Sequence, residues 1–249
     1  MSAAPPFPKP SAAAPITVRR DTDISFTDGG WFQARWHFSF DTYYDPEQMG
    51  IGTLRVFNHD TLIPGAVWPM HPHRDIEGIT YVVAGVFEHA DSAGNGGVLY
   101  PGAVQRVTLG SGMMHSEMNH SKADPMQFIQ MWIMPEKRGL SPSIEQKQFT
   151  EADRTNKLLQ LVYPEHTPDP LGVIVHRDVG IYASRLEAGV STAHEFGDGR
   201  GGYLYVIDGE ADVNDKRLAK GDAAKITGAG RLNIAARGTS ELVLVDTPL

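Results

Sequence analysis

Residues 65–85 read GAVWPMHPHRDIEGITYVVAG. Gly65 opens the segment, His71-Pro72-His73 follows, and the run ITYVV at 79–83 closes on Ala84-Gly85. A short β-branched and aromatic run ended by glycine reads as a buried strand. Side chains alternate along an extended chain, so His71 and His73 point to one face. Roughly forty residues later, after Gly110-Ser-Gly112, the chain repeats the spacing as His115-Ser116-Glu117. Two such strands side by side bring three imidazoles and one carboxylate to a single point. Nitrogen and oxygen donors without thiolate suit iron, nickel, copper, manganese or zinc. Asp75 and Glu77 continue the face of the first pair, so on spacing alone Glu77 competes with Glu117 for the carboxylate position.

Outward from these motifs the texture is short strands and turns. Residues 31–40 (WFQARWHFSF), 52–57, 86–89 and 127–134 (QFIQMWIM) read as strands, and 140–149 as polar and irregular. Residues 150–162 read as one short helix and a strand. Further strands are expected at 181–186, 202–207, 210–213, 223–226, 232–235 and 242–245. Regular spacing with turn signals between is the mark of an all-β sandwich or barrel. The halves share landmarks: Gly65, His71 and the strand ending at Gly85 are echoed by Gly189, His194 and the strand ending at Gly209. Two copies of one barrel are expected, at 16–150 and 151–249. Phe196 stands where the second copy's second histidine would fall, so that copy is expected to lack a metal. The Pro/Ala-rich residues 1–15 have little to bury and read as a disordered or extended arm.

Composition excludes several function classes. The net charge is -8, with no basic cluster, which argues against direct nucleic-acid binding. The absence of cysteine excludes disulfides and thiolate metal sites. No apolar run approaches a membrane span, and the N-terminus lacks a secretory pattern, so a cytoplasmic protein is expected. His37, His59, His89, His166 and His176 are isolated and carry no functional reading, and His194 is a degenerate echo of His71.

Gly65-x5-His71-x-His73-x3-Glu77 and Gly112-x2-His115-x3-Asn119 are similar to the two cupin motifs. Gly30-Trp-Phe-Gln33, Tyr43-Tyr-Asp-Pro46, Pro72-His-Arg-Asp75, Gly94-Asn-Gly-Gly97, Gln105-Arg106, His115-Ser-Glu117 and Gln130-Met-Trp-Ile133 then resemble the pirin family of bicupins. Gly78 departs from that pattern, standing where a larger residue is usual. The resemblance implies two cupin barrels, with the C-terminal one empty. It implies a single metal, Fe(II) foremost, with nickel, copper, manganese and zinc as alternatives. His71, His73, His115 and Glu117 would be its ligands, which favours Glu117 over Glu77.

Some bacterial members of the family resemble quercetin 2,3-dioxygenases. The implied activity is ring-opening of a flavonol such as quercetin with O2, Glu117 taking the 3-hydroxyl proton. Phe57, Met113, Phe128 and Trp132 are candidates to line the apolar cavity this requires. The alternative that the family offers is a metal-containing regulator that senses redox state and binds a protein partner.

Overall fold

The computed structural model describes residues 12–249. Its strands form two barrels of the cupin type, each a seven-stranded sheet against a four-stranded one. In the first barrel the large sheet runs Ser143–Gln148, Ala103–Thr108, Glu77–Ala84, Met126–Ile133, Leu54–Leu62, Phe32–Trp36, Ser25–Asp28. Its small sheet runs Val67–His73, Met113–Asn119, Phe87–Asp91, Gly96–Leu99. The second barrel repeats the plan, with Ser191–Phe196 and Gly230–Ala236 leading its small sheet. The all-β, bicupin expectation holds.

The central strands of the large sheets are buried on both faces. Along Met126–Ile133, Met126 and Phe128 join the core inside the first barrel, while Ile129, Met131 and Ile133 join a core shared with the second. Tyr203, Tyr205, Val243 and Val245 meet them from the other side. That division follows from the period of two along a strand. Polar pairs cross the same junction: His37 to the Tyr203 hydroxyl and His59 to the Tyr205 hydroxyl, both at 2.9 Å.

Ile16–Arg19 does not join the barrel that follows it in sequence. It pairs antiparallel with Ala223–Ile226, at the edge of the second barrel's large sheet. Of the expected arm at 1–15, residues 1–11 lie outside the described residues. Ala13 bridges Arg231 and Ala14 is buried, so residues 12–15 lie along the second barrel.

Two strand readings shift. Residues 31–40 hold a strand only at Phe32–Trp36; the chain then turns at Asp41, which takes a positive φ of 47°. Residues 143–148, read as irregular, form a polar strand pairing with Ala103–Thr108 at a sheet edge. Edge strands tolerate such sequences because one side faces solvent. The turn of helix Glu151–Arg154 and the strand Leu159–Pro164 fall within the segment read that way.

Candidate metal centre

The strands Val67–His73 and Met113–Asn119 lie antiparallel, with His115 opposite His71 and Met113 opposite His73. This register gathers the three imidazoles: their nearest ligand nitrogens all lie within 4.8 Å of one another. Gly110 starts the second strand at a φ of +33°, where a Cβ would sit 1.9 Å from the Leu140 carbonyl oxygen. The turn can come this close to its neighbour only with glycine.

The chemical state of each ring follows from its surroundings. His71 Nδ1 lies 2.8 Å from the Pro69 carbonyl oxygen. That contact makes Nδ1 the N–H and leaves the Nε2 lone pair free. Burial, then the neighbouring His71, holds His73 down to about 4. Burial, then His71 and His73, holds His115 down to about 3. Both rings are therefore neutral at pH 7, the form that binds metal. His115 Nε2 is buried with no hydrogen-bond partner. A buried ring nitrogen is costly unless something meets its lone pair. Three imidazoles gathered this closely, one with its free nitrogen buried and unmet, fit a divalent first-row metal ion.

Glu117 stands slightly apart. The register slips by one residue between His115 and Glu117, so Glu117 faces Trp68. Its Oε1 accepts a 2.8 Å hydrogen bond from the Gln130 side-chain amide, and the Gln130 carbonyl oxygen accepts one of 2.8 Å from Thr80. Burial pushes Glu117 up to about 7, partly opposed by the Gln130 bond. Its carboxylate is not among the gathered ligand atoms, which are those of the three histidines.

Glu77, the competing carboxylate, points the other way. Asp75 takes a positive φ of 54°, which breaks the strand after His73 and ends the shared face. Fully buried, Glu77 accepts hydrogen bonds from Thr108 Oγ1, from the His176 backbone N–H and from His176 Nδ1, at 2.7–2.8 Å. It ties the first barrel to the second. His176, read as isolated, is its partner. His194, the echo of His71, is 2.7 Å from Asp246 and packs on Phe196. Among the described residues the second barrel gathers no comparable set of metal donors.

His71, His73 and Glu117 form part of the wall of a cavity of about 830 Å³. All four tryptophans of the chain, Trp31, Trp36, Trp68 and Trp132, line it. Of the four expected lining residues only Trp132 does so, its ring 4.7 Å from that of His73. Phe57 faces the second barrel, and Met113 and Phe128 pack in separate cores. Asn58, Asp60 and Gln130 also line the cavity. Burial, then the Glu117 charge, pushes Asp60 well above the usual carboxylate range. Asn58 and Asp60 escaped the sequence reading because both faces of their strand are buried, which removes the alternation of polar and apolar residues.

Two family models match the chain: Pirin over residues 18–133, and the quercetinase C-terminal cupin domain over residues 165–247. A pirin-like protein from Caulobacter vibrioides is 39% identical over 219 residues, covering 88% of this chain and 94% of the relative. A quercetin 2,3-dioxygenase from Escherichia coli K12 is 34% identical over 234 residues, covering 94% and 99%. Among solved structures, a bacterial pirin from Escherichia coli in complex with nickel(II) superposes with a TM-score of 0.87 at 31% identity, covering 94% of this chain and 99% of that one. With the three gathered histidines and two barrels already in view, these likenesses place the chain in the pirin family.

Proposed function

We propose that the protein is a metal-dependent dioxygenase that opens the ring of a flavonol with O2. The observation that carries this reading is the gathering of three imidazoles, two of which line a tryptophan-walled cavity together with a buried carboxyl. His71, His73 and His115 would hold the metal, Fe(II) foremost, with Glu117 as the fourth candidate. When bound, such an ion supplies a Lewis-acidic centre for a substrate oxygen and a redox centre for dioxygen chemistry.

The protein's own groups do the rest. A cavity of about 830 Å³ suits a planar three-ring ligand. The indole walls stack on such a ligand and exclude water. Glu117 takes the 3-hydroxyl proton: the substrate O–H bond breaks and the proton passes to the carboxylate oxygen. A carboxylate raised to about 7 is a base matched to neutral pH. Gln130, anchored by Thr80, keeps Glu117 aimed during that transfer.

The test is anaerobic reconstitution with Fe(II), then oxygen uptake with quercetin, for the native chain and Glu117→Ala. Metal-dependent uptake that is lost in the variant supports the reading. Tight iron binding without any uptake overturns it and leaves a metal-containing binding protein.

A further inference from the structure

The cavity carries a second set of polar groups that neither the three histidines nor the proton transfer uses. Asn58 and Asp60 lie two residues apart on Leu54–Leu62, on one face of the strand. Neighbours in register share that face: Trp36 and Gln130 flank Asn58, and Ala34 and Phe128 flank Asp60. Both residues line the cavity, and they are 2% and 6% exposed.

Neither is satisfied by the protein. Asn58 Oδ1 is buried with no hydrogen-bond partner. No side-chain hydrogen bond or ion pair reaches the Asp60 carboxyl among the described residues; the neighbouring charge that acts on it is that of Glu117. Leaving one buried polar group unmet costs about 1–3 kcal/mol. Asn58 Oδ1 is such a group, and Asp60 beside it lines the same cavity without a side-chain partner among the described residues. Of their neighbours in register, Trp36, Ala34 and Phe128 make no hydrogen bond to them, and the Gln130 side chain is taken up by Glu117 and Thr80.

We infer that Asn58 and Asp60 form a hydroxyl-recognition subsite, which selects flavonols carrying ring hydroxyls beyond the 3-hydroxyl. The inference rests on the flavonol reading above and deepens it. Asn58 Oδ1 accepts from a substrate hydroxyl, and the Asp60 carboxyl meets a second one. A site built to hydrogen-bond a hydroxyl rejects the analogue lacking it, because its own buried groups are then left unpaired. These are specificity-determining residues; the proton transfer stays with Glu117.

The probes are quercetin and 3-hydroxyflavone, which keeps the 3-hydroxyl and lacks the others. Binding to the full chain is followed anaerobically by quenching of tryptophan fluorescence, since every tryptophan lines the cavity. The native chain is expected to bind quercetin at least about tenfold more tightly than 3-hydroxyflavone. Asn58→Leu and Asp60→Leu are each expected to weaken quercetin about tenfold and to leave 3-hydroxyflavone unchanged. Both variants should keep or raise Tm, because apolar groups replace unmet polar ones.

Equal binding of the two flavonols by the native chain, or a preference that survives in both variants, overturns the subsite while leaving the dioxygenase reading intact. A Tm fall of more than about 5 °C in Asp60→Ala, which cannot overpack, would reassign Asp60 to the fold. Binding of neither probe removes the subsite and the flavonol reading together. Discrimination without oxygen uptake removes only the dioxygenase reading.

Discussion

Glu117 and Gln130 are joined by a 2.8 Å hydrogen bond, and Gln130 is itself fixed by Thr80. The Gln130 amide therefore presents its NH2 end to the carboxylate and its carbonyl end to Thr80. Gln130→Leu removes the one hydrogen bond that opposes the effect of burial on Glu117. Partners that orient the groups around a metal typically carry 10–100-fold effects. Quercetin turnover is expected to fall by about that factor, with one metal retained per chain. Turnover within twofold of native would show that Glu117 needs no such support.

Metal content separates the roles of the histidines. His115→Ala removes the most deeply buried nitrogen of the three and is expected to bring metal per chain from near one to near zero, read by elemental analysis. Retention of stoichiometric metal in that variant would move the site elsewhere.

Glu77 gives the contrasting case. Glu77→Ala strips three hydrogen bonds from a fully buried position and leaves the His176 backbone N–H unmet. A destabilisation of about 3–5 kcal/mol is expected in denaturant melts, with metal content preserved. Loss of metal without loss of stability would restore Glu77 as a ligand.

These two glutamates show how far the sequence could be read. The i, i+2 histidines and His115 were legible because that spacing puts side chains on one face of a strand and two such motifs recur beside glycine turns. Glu77 and Glu117 stayed ambiguous because extrapolating a face assumes an unbroken strand. The left-handed turn at Asp75 breaks it, and nothing in the side-chain pattern announces that turn. The cavity wall was harder still. Asn58, Asp60 and Gln130 sit in strands covered on both sides, where polar and apolar residues do not alternate with the two faces. The resemblance supplied the choice between the glutamates; the spacing did not.

The junction between the barrels should respond to acid. Burial, ahead of nearby charges, holds His37 well below its ordinary range and His59 down to about 4. The unfolded chain takes up protons near pH 6.5, whereas the folded chain does not until the pH falls much lower. The unfolded state binds more protons in that window, so stability falls as pH drops from about 6.5 towards 4. His59 alone contributes on the order of 3 kcal/mol across it. His73 and His115 add to the same slope in metal-free protein, so the comparison is with His59→Gln. A flatter dependence of Tm on pH is expected in that variant; an identical slope would acquit His59.

Gly78 offers a site for stabilisation. It lies in the strand Glu77–Ala84, and an added Cβ would meet Leu109 and the Val107 carbonyl oxygen only at 4.0 Å. Glycine within a strand is unfavourable by roughly 0.5–1 kcal/mol relative to alanine. Gly78→Ala is expected to raise stability by about that amount. Gly85→Ala should do the reverse, since its φ is +75° and a Cβ would come within 2.6 Å of the Pro125 carbonyl oxygen. Chemical denaturation of the two variants reads both signs.

The pairing of Ile16–Arg19 with Ala223–Ile226 joins segments some two hundred residues apart. On a ribosome the first of these emerges early, and its partner is made near the end of the second barrel. Until then an unpaired strand with free backbone donors and acceptors waits on the nascent chain. The first barrel meanwhile exposes the apolar face it will share with the second. The two halves, alike in plan, thus share one core, and a strand of the first covers a sheet edge of the second. Removing Ile16–Arg19 would leave Ala223–Ile226 as a bare sheet edge, so damage at one end of the chain is felt at the other.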